Sequence, residues 1–353
     1  MTNCPCKAAV QGEGRSRVRP DGKGSIKQVQ KPFPLRGDGQ GKEGEFSPGE
    51  NMDRLSVTIC GIPFKNPVIA ASGTFGFGRE YAEFFDISCL GGISTKGLTP
   101  LPRLGNDPPR IAETPSGILN SVGLQNPGVE AFIRDELDYL REHDTVILAN
   151  IAGSTKEDYV LMAERLSGTA VDMLEMNISC PNVKAGGVAF GVRPESVKEI
   201  TSAVKAVAKK PLVVKLSPNV ASIAENARAA EEGGADAVSL INTLTGMAVD
   251  IRSRRPILAN VTGGLSGPAV KPVALRMVWE ASRAVSIPVI GMGGIASAED
   301  VLAFMMCGAS AVQVGTANLS DPMAAKTIAE NLTKCLDELK IERIADVVGT
   351  LQV

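Results

Sequence analysis

The stretch EMNISCPNV (residues 175–183) ends an apolar run with side chains that can bind a ligand or move a proton. It contains Asn177, Cys180 and Asn182, at positions where alanine or serine would pack as easily. A cysteine thiolate with positive charge nearby can act as a base close to neutral pH. A cysteine is also a small residue that is often buried without any chemical role. Both interpretations of Cys180 stay open until its surroundings are considered.

Seven further apolar runs also end in polar residues or glycines, which are poor choices for packing alone. These endings are Ser72, Lys96, Asn150, Lys215, Asn242 with Thr243, Gly293 with Gly294, and Gly315 with Thr316. The single histidine, His143, lies between a charged helical end and a strand start, and we expect it to be structural. Ser-His-Asp hydrolysis and histidine metal sites are therefore disfavoured. Any general acid or base is then expected to be a Cys, Lys, Asp, Glu or Tyr side chain.

The runs themselves predict strands that are buried on both faces, as in a parallel sheet, because they are almost continuously apolar. They cover residues 66–72, 91–97, 145–151, 170–179, 211–217, 237–243, 288–294 and 311–316. Stretches such as 196–210 and 222–234 lie between them and predict helices. Eight such units predict an α/β fold, a (β/α)₈ TIM barrel, with a doubly wound open sheet as the alternative. In a barrel the carboxyl ends of the strands meet at one rim and form the active site.

Glycine-rich turns follow the last three predicted strands, in TGGLSG (262–267), GMGGIAS (291–297) and VGTANL (314–319). Glycines let backbone N–H groups approach an anion, and this part of a barrel is the usual phosphate position. The ligand is then a phosphorylated substrate or a phosphate-bearing cofactor such as FMN. Lys215 and Lys96 favour FMN, because a fixed positive charge suits a flavin that becomes negative on reduction.

Residues 1–51 differ from the rest, with nine glycines, nine basic residues and few large apolar ones. Such a segment cannot bury enough surface to offset its ordering entropy, which predicts a disordered extension. The codons for Gly49 and Glu50 can resemble a ribosome-binding site, which suggests that translation begins at Met52. Mass spectrometry of the native protein tests this hypothesis. Residues 52–353 form the predicted single barrel domain.

The bulk composition argues against several kinds of partner. The chain is 44% apolar with a formal net charge of −2, so nothing predicts attraction to nucleic acid or to a membrane surface. No apolar run reaches the roughly 18–20 residues that span a bilayer. The seven cysteines are odd in number and, beyond Cys4 and Cys6, lack disulfide or metal-ligand spacing, as expected in a reducing compartment. The two thiols of CPC (4–6) have no further ligands beside them and are weak evidence for a metal site. We expect a cytoplasmic protein without a metal site.

Ten motifs, in order along residues 52–353, resemble those of the dihydroorotate dehydrogenases, FMN-containing barrels of pyrimidine biosynthesis. They are ASGTFGFG (71–78), STKGLT (94–99), PRLGNDPPR (102–110), NSVGLQNPG (120–128), NISCPN (177–182), VVKLSP (213–218), INTL (241–244), ILANVTGGLSGPAVKP (257–272), IGMGGI (290–295) and VQVGTA (312–317). INTL and TGGLSGPAVKP look most like the class 1B subfamily, whose catalytic chain works with an iron–sulfur, FAD-carrying partner and reduces NAD.

The resemblance implies roles for individual residues. FMN, one per chain, would be bound by Ser72, Lys96, Gly97, Asn150, Asn177, Lys215, Ile241, Gly267, Gly293, Gly294, Gly315 and Thr316. Dihydroorotate would be held by Lys96, Asn120, Ser121, Val122, Gly123, Leu124, Asn177, Asn182, Asn242 and Thr243. Cys180 would be the catalytic base, which answers the question left open above. The membrane-attached class uses serine and carries an apolar N-terminal helix, and this chain departs from it.

The implied reaction is oxidation of (S)-dihydroorotate to orotate, with hydride passing to FMN and a proton to cysteine. The sequence has no iron–sulfur cysteine cluster and no FAD fingerprint, so FAD and the 2Fe–2S cluster are expected only on the partner. We expect a homodimer of this flavoprotein with two partner subunits, a heterotetramer. Alternatives are a class 1A-like enzyme that reduces fumarate, another FMN barrel reductase, and a non-redox phosphate-binding isomerase or binding protein.

The stretch from Pro100 to about Pro127 is a long excursion after the second strand. Loops of this length in a compact domain are usually functional. We expect it to form a wall of the substrate site and to contribute to a subunit contact. Arg103 and Arg110 are expected to anchor it through ion pairs.

Overall fold

Eight parallel strands close into a barrel in the computed structural model, which describes residues 54–179 and 188–353. They are β1 (Val68–Ala70), β2 (Gly92–Ser94), β3 (Val146–Ile151), β4 (Met173–Asn177), β5 (Leu212–Lys215), β6 (Ala237–Leu240), β7 (Val289–Met292) and β8 (Ala311–Val314). Each strand pairs with the next, and β8 closes the barrel on β1 with Val312 opposite Val68. Every predicted run contains one barrel strand. The TIM barrel is confirmed, and the open-sheet alternative is wrong.

Helices follow the strands and cover the outside of the barrel. The α-helices are Arg79–Ala82, Val129–Ala131, Leu137–Arg141, Lys156–Ser167, Val188–Gly191, Pro194–Lys205, Ile223–Glu232, Lys271–Ser282, Ala298–Met306, Ala317–Ser320 and Ala324–Leu339. A π-helical turn, Phe132–Glu136, joins the second to the third, and 3₁₀ turns cover Ile87–Cys89, Pro268–Val270 and Ile344–Val347.

Local sequence explains where several of these helices begin and end. Thr155, Ser222 and Ser297 each accept a hydrogen bond from a backbone N–H three residues later, the usual N-cap arrangement. The helix predicted over 196–210 ends earlier, at Lys205. Pro211 explains why the helix does not include Lys210, because a proline disfavours helical geometry in the residue before it.

The core lies between the strands and the helices, and within the barrel. All residues of β4, β5, β6, β7 and β8 are buried, as expected for strands covered on both sides. Most of these side chains are aliphatic. Seven barrel positions instead carry buried polar groups, namely Ser94, Asn150, Glu175, Asn177, Lys215, Ser239 and Gln313.

Two excursions from the barrel combine into a four-stranded antiparallel sheet, here called the accessory sheet. Its strands, in spatial order, are Leu244–Met247, Thr262–Ser266, Gly117–Asn120 and Ile111–Thr114. The first two follow β6 and the last two follow β2. Two further hairpins pair Val57–Ile59 with Ile62–Phe64 and Val249–Asp250 with Arg255–Pro256. The segment predicted as a long loop is therefore partly a β-hairpin.

Hydrogen bonds to neutral partners anchor this excursion. Arg103 donates to the Ser154 hydroxyl at 2.6 Å. Arg110 donates to the Gln125 side-chain oxygen at 2.6 Å and to a backbone carbonyl at 3.1 Å. The expected anchoring role is thus present, but these bonds are not the ion pairs that the sequence suggested.

Three predictions concern residues outside the described ranges. Both Cys180 and Asn182 belong to the segment 180–187, and the extension predicted to be disordered belongs to residues 1–53. Within the described residues, none of the helices combines the length and the apolar character required to cross a membrane.

Candidate active site

The carboxyl ends of the barrel strands and the accessory sheet enclose a cavity of about 260 Å³. Most of the residues singled out in the sequence line it. They are Ser72, Lys96, Gly97, Asn120, Val122, Gly123, Leu124, Asn150, Asn177, Lys215, Ile241, Asn242, Thr243, Gly293, Gly294, Gly315 and Thr316. The fold thus brings together both lysines, the amides and the glycine turns of β7 and β8, as their positions at strand ends require.

Two of the predicted site residues lie elsewhere. Ser121 is buried beside the cavity, where its hydroxyl accepts a hydrogen bond from Asn106 at 3.2 Å. Gly267 lines a second cavity of about 760 Å³, which shares Gly294 and Thr316 with the first. Gly267 therefore lies next to the glycine turns.

Several lining residues were not anticipated from the sequence. They are Ala71, Gly73, Thr74, Ile111, Ile118, Leu265, Ser266, Val270, Met292, Gln313 and Leu319. Gln313 could have been identified as a candidate site residue from the sequence, because it is a polar residue inside the apolar run AVQVGT. Ile111, Ile118 and Leu265 lie in stretches that were expected near the site, but the sequence did not single them out, since they reach the cavity through the long-range pairing of the accessory sheet.

A buried carboxylate, that of Glu175, lies within the barrel and is bonded by four side chains. Its Oε2 accepts from the Ser94 hydroxyl and the Asn150 amide, both at 2.7 Å. Its Oε1 accepts from the Ser239 hydroxyl at 2.8 Å and the Gln313 amide at 2.6 Å. Burial raises the pKa of this carboxyl, but the Lys215 charge and the hydrogen bonds outweigh it and hold the pKa below its usual value.

The Lys215 ammonium lies between this carboxylate and the cavity. Only 5% of the residue is exposed. Its Nζ is 3.7 Å from the Glu175 carboxylate, 3.4 Å from the Gln313 side-chain oxygen and 3.5 Å from the Ser72 hydroxyl. The cavity therefore has a fixed positive charge in its wall.

Asn150 presents an acceptor that lacks a protein partner. Its amide nitrogen donates to Glu175, whereas its Oδ1 is buried and has no hydrogen-bond partner among the residues that the structure describes. A Cβ built on Gly97 would lie 3.0 Å from this oxygen, so the two residues adjoin. Buried acceptors are rarely left unpaired. A planar ligand with an N–H group, such as the flavin ring, fits this position.

The turn after β7 can be formed only with glycine. Gly293 and Gly294 have φ of 129° and 77°, and a Cβ on Gly294 would approach the Gly267 carbonyl oxygen to 2.7 Å. Gly315, after β8, has open space on the cavity side, because an added Cβ would find its nearest protein atom at 3.5 Å. Exposed backbone of this kind fits the phosphate group of FMN.

A second group of amides lies at the ends of β4 and β6. Asn242 donates to the Ser179 hydroxyl at 2.7 Å and to the Asn177 side-chain oxygen at 3.3 Å. The Tyr159 hydroxyl donates to the backbone carbonyl of Asn177 at 2.8 Å. These bonds fix the orientation of two amides in the cavity wall, immediately before the segment that contains Cys180.

The cysteines within the described ranges are not activated. Burial raises the pKa of the Cys60 and Cys89 thiols to about 11. Burial also raises the pKa of Cys307 and Cys335 above the ordinary value. These four thiols are therefore protonated near neutral pH, which is unsuitable for a base.

Comparison with known proteins agrees with this geometry. A family model described as dihydroorotate dehydrogenase matches residues 54–336. The chain is 58% identical over 297 residues to "Dihydroorotate dehydrogenase B (NAD(+)), catalytic subunit" of Alkaliphilus oremlandii, covering 84% of this chain and 98% of that protein. It is 57% identical over 299 residues to the protein of the same name from Bacillus mycoides, covering 84% and 97%.

A solved structure supports the fold alone. The crystal structure of DHODH in complex with ferulenol from Eimeria tenella is 24% identical, with a TM-score of 0.72, and the match covers 86% of this chain and 90% of that one.

Proposed function

The chain belongs to the dihydroorotate dehydrogenase family, and we propose that it is the catalytic subunit of a class 1B enzyme. Such an enzyme oxidises (S)-dihydroorotate to orotate in pyrimidine biosynthesis, with NAD as final acceptor. The high identity to curated catalytic subunits of that type supports the proposal. The single structural observation that carries it is the cavity, which is lined by a buried cation, the glycine turns and Asn150, whose side-chain oxygen has no partner among the described residues.

The cofactor in this proposal is FMN, which accepts the hydride from carbon 6 of the substrate when it is bound. Lys215 and Lys96 supply positive charge to its ring, and Asn150 accepts a hydrogen bond from it. Its phosphate is held by the backbone of the turns after β7 and β8. The predicted contacts with Ser72, Gly97, Asn177, Ile241 and Thr316 complete this set, with Gly267 at the edge.

The substrate is held by polar groups around the same cavity. Asn177 and Asn242 are already oriented by hydrogen bonds, so little ordering entropy is lost when they bind the ring. Lys96 pairs with the substrate carboxylate. The wall formed by Asn120 and residues 122–124 excludes water, with Thr243 and Asn182 as further contacts.

The base in this proposal is Cys180, which takes the proton from carbon 5. Its assignment rests on the family motif NISCPN. Ser179, the residue before it, is held by Asn242 and Asn177, so the chain enters the segment from a fixed position. Positive charge close to a thiol favours the thiolate.

The remaining parts of the proposal concern assembly and location. Electrons leave through a partner subunit with FAD and a 2Fe–2S cluster, in a heterotetramer built on a homodimer of this chain. The word "subunit" in the names of the relatives supports a partner. We place the complex in the cytoplasm.

An anaerobic absorbance spectrum of the purified chain tests the central proposal. Flavin bands at roughly 370 and 450 nm should be present and should bleach when dihydroorotate is added. Bands that persist would indicate a flavin barrel with another substrate. If no bands are seen after reconstitution with FMN, the proposed cofactor is wrong.

A further inference from the structure

The Glu175 carboxylate belongs to the barrel layer directly below the proposed cofactor site. Glu175 and Asn177 are two residues apart on β4, so their side chains point to the same side of the sheet. Asn177 lines the cavity, and Glu175 lies about 7 Å further into the barrel along the strand. The mechanism proposed above gives Glu175 no role.

Most of the described side chains around the Glu175 carboxylate are neutral. The side chains that contact it come from five other barrel strands, and they are Ser94 on β2, Asn150 on β3, Lys215 on β5, Ser239 on β6 and Gln313 on β8. Among these described groups, Lys215 alone is charged. The other lysine that lines the cavity is Lys96, which follows β2.

A buried ion pair of this kind has a cost that packing alone does not explain. Removing two charges from water is unfavourable, and an apolar pair of similar volume is often as stable or more stable. In this protein the Glu175 carboxylate is fully buried, and it accepts hydrogen bonds from four neutral side chains. A lysine that is buried without a counter-charge gives up its proton readily.

We propose that Glu175 is a positioning residue, whose carboxylate keeps the Lys215 ammonium charged and directed at the cofactor. The inference rests on the proposed FMN site and deepens it. With Glu175 present, the Lys215 ammonium has an opposite charge 3.7 Å away. Without it, we expect the charge on Lys215 to depend on the pH.

The variant Glu175→Gln tests this role in the holoenzyme. It keeps the side-chain size, and the Ser94 and Ser239 hydroxyls can each turn from donor to acceptor to accommodate the amide. The measurement is the equilibrium constant for flavin reduction against a reference dye, as the ratio of variant to wild type. We expect this ratio to fall by about tenfold or more between about pH 6 and about pH 9, as Lys215 loses its proton.

Two control variants separate charge from structure. Ser239→Ala removes one hydrogen bond from the same carboxylate but leaves both charges, and Glu175→Asp keeps the charge on a shorter side chain. Both should give a ratio that is constant with pH. A constant or rising ratio in Glu175→Gln overturns the proposal, because Lys215 would then keep its proton without Glu175.

A second comparison tests the pairing of Glu175 with Lys215 if Glu175→Gln does not fold or does not bind FMN. The double variant Glu175→Gln/Lys215→Met contains no uncompensated buried charge, so its folding equilibrium constant should recover at least about tenfold over the single variant. Recovery supports the pairing, and a double variant no more stable than the single one overturns it. A wild-type chain that never binds FMN would refute the proposed function instead, and this folding comparison would still decide the pairing.

Discussion

Replacing Gly315 by alanine should weaken FMN binding without weakening the fold. The added Cβ would lie 3.5 Å from the Ala71 Cβ and 3.8 Å from the Thr74 hydroxyl, which are ordinary van der Waals contacts. Unfolding free energy should therefore change by no more than about 1 kcal/mol, and in the stabilising direction. The methyl group instead occupies space in the cavity that the cofactor needs.

The expected loss of affinity follows from the cost of overpacking. Forcing an extra methyl group into a filled site costs about 1–3 kcal/mol. This corresponds to an FMN dissociation constant that is about 5- to 150-fold higher. Fluorescence titration of the FMN-depleted chain measures the constant, and denaturant unfolding of the same preparation measures stability.

Gly168→Ala is the matched control. Gly168 ends the helix Lys156–Ser167 with φ of −89°, and an added Cβ would meet no atom within 4 Å. Both variants gain one methyl group, but Gly168 does not line the cavity, so FMN affinity should stay at the wild-type value. A folded Gly315→Ala protein whose FMN affinity is within about twofold of wild type would refute the assignment of this turn to the cofactor.

Three other predictions concern the turn after β7, the base and the electron acceptor. Gly294→Ala should lower the unfolding free energy by about 2–5 kcal/mol, because the alanine would be strained in the left-handed region and its Cβ would approach the Gly267 carbonyl oxygen. Denaturant titration measures this change, and a variant as stable as wild type would contradict the prediction. Cys180→Ala should keep FMN but reduce turnover at least about a hundredfold, unlike Cys307→Ala, and near-normal turnover would exclude Cys180 as base. The isolated chain should reduce neither fumarate nor NAD efficiently until the partner is added, and rapid fumarate reduction would indicate a class 1A-like enzyme.

The barrel could be predicted because its determinants are local. Each strand is a short apolar run followed by a polar end, and parallel strands then place those ends at one rim. Lys96, Lys215 and Asn150 could thus be assigned to a common site before their contacts were known. The glycine turns were recognisable for the same reason, since Gly293 and Gly294 directly follow a run.

Features that depend on long-range pairing could not be predicted in the same way. The accessory sheet joins strands that carry no marked apolar alternation, so the pairing that brings Ile111 and Leu265 to the cavity could not be predicted, although both lie in stretches expected near the site. Glu175 did give a sign, as a charged residue inside an apolar run. Its role became apparent only with the four donors and Lys215, which come from five different strands. Cys180 and Asn182 remain predictions.

The accessory sheet also has a consequence for the order in which the molecule is completed. The Asn120 amide donates to the carbonyl of Gly264 across a sequence separation of 144 residues. Contacts of such separation form late, because the entropy of closing the intervening loop must be overcome first. A nascent chain that has not yet passed Ser266 can pair Gly117–Asn120 with Ile111–Thr114 but lacks the strand that pairs with its other edge. We therefore expect the nascent polypeptide to gain affinity for its cofactor only near the end of synthesis. Hydrogen exchange during refolding should show late protection where Gly117–Asn120 pairs with Thr262–Ser266.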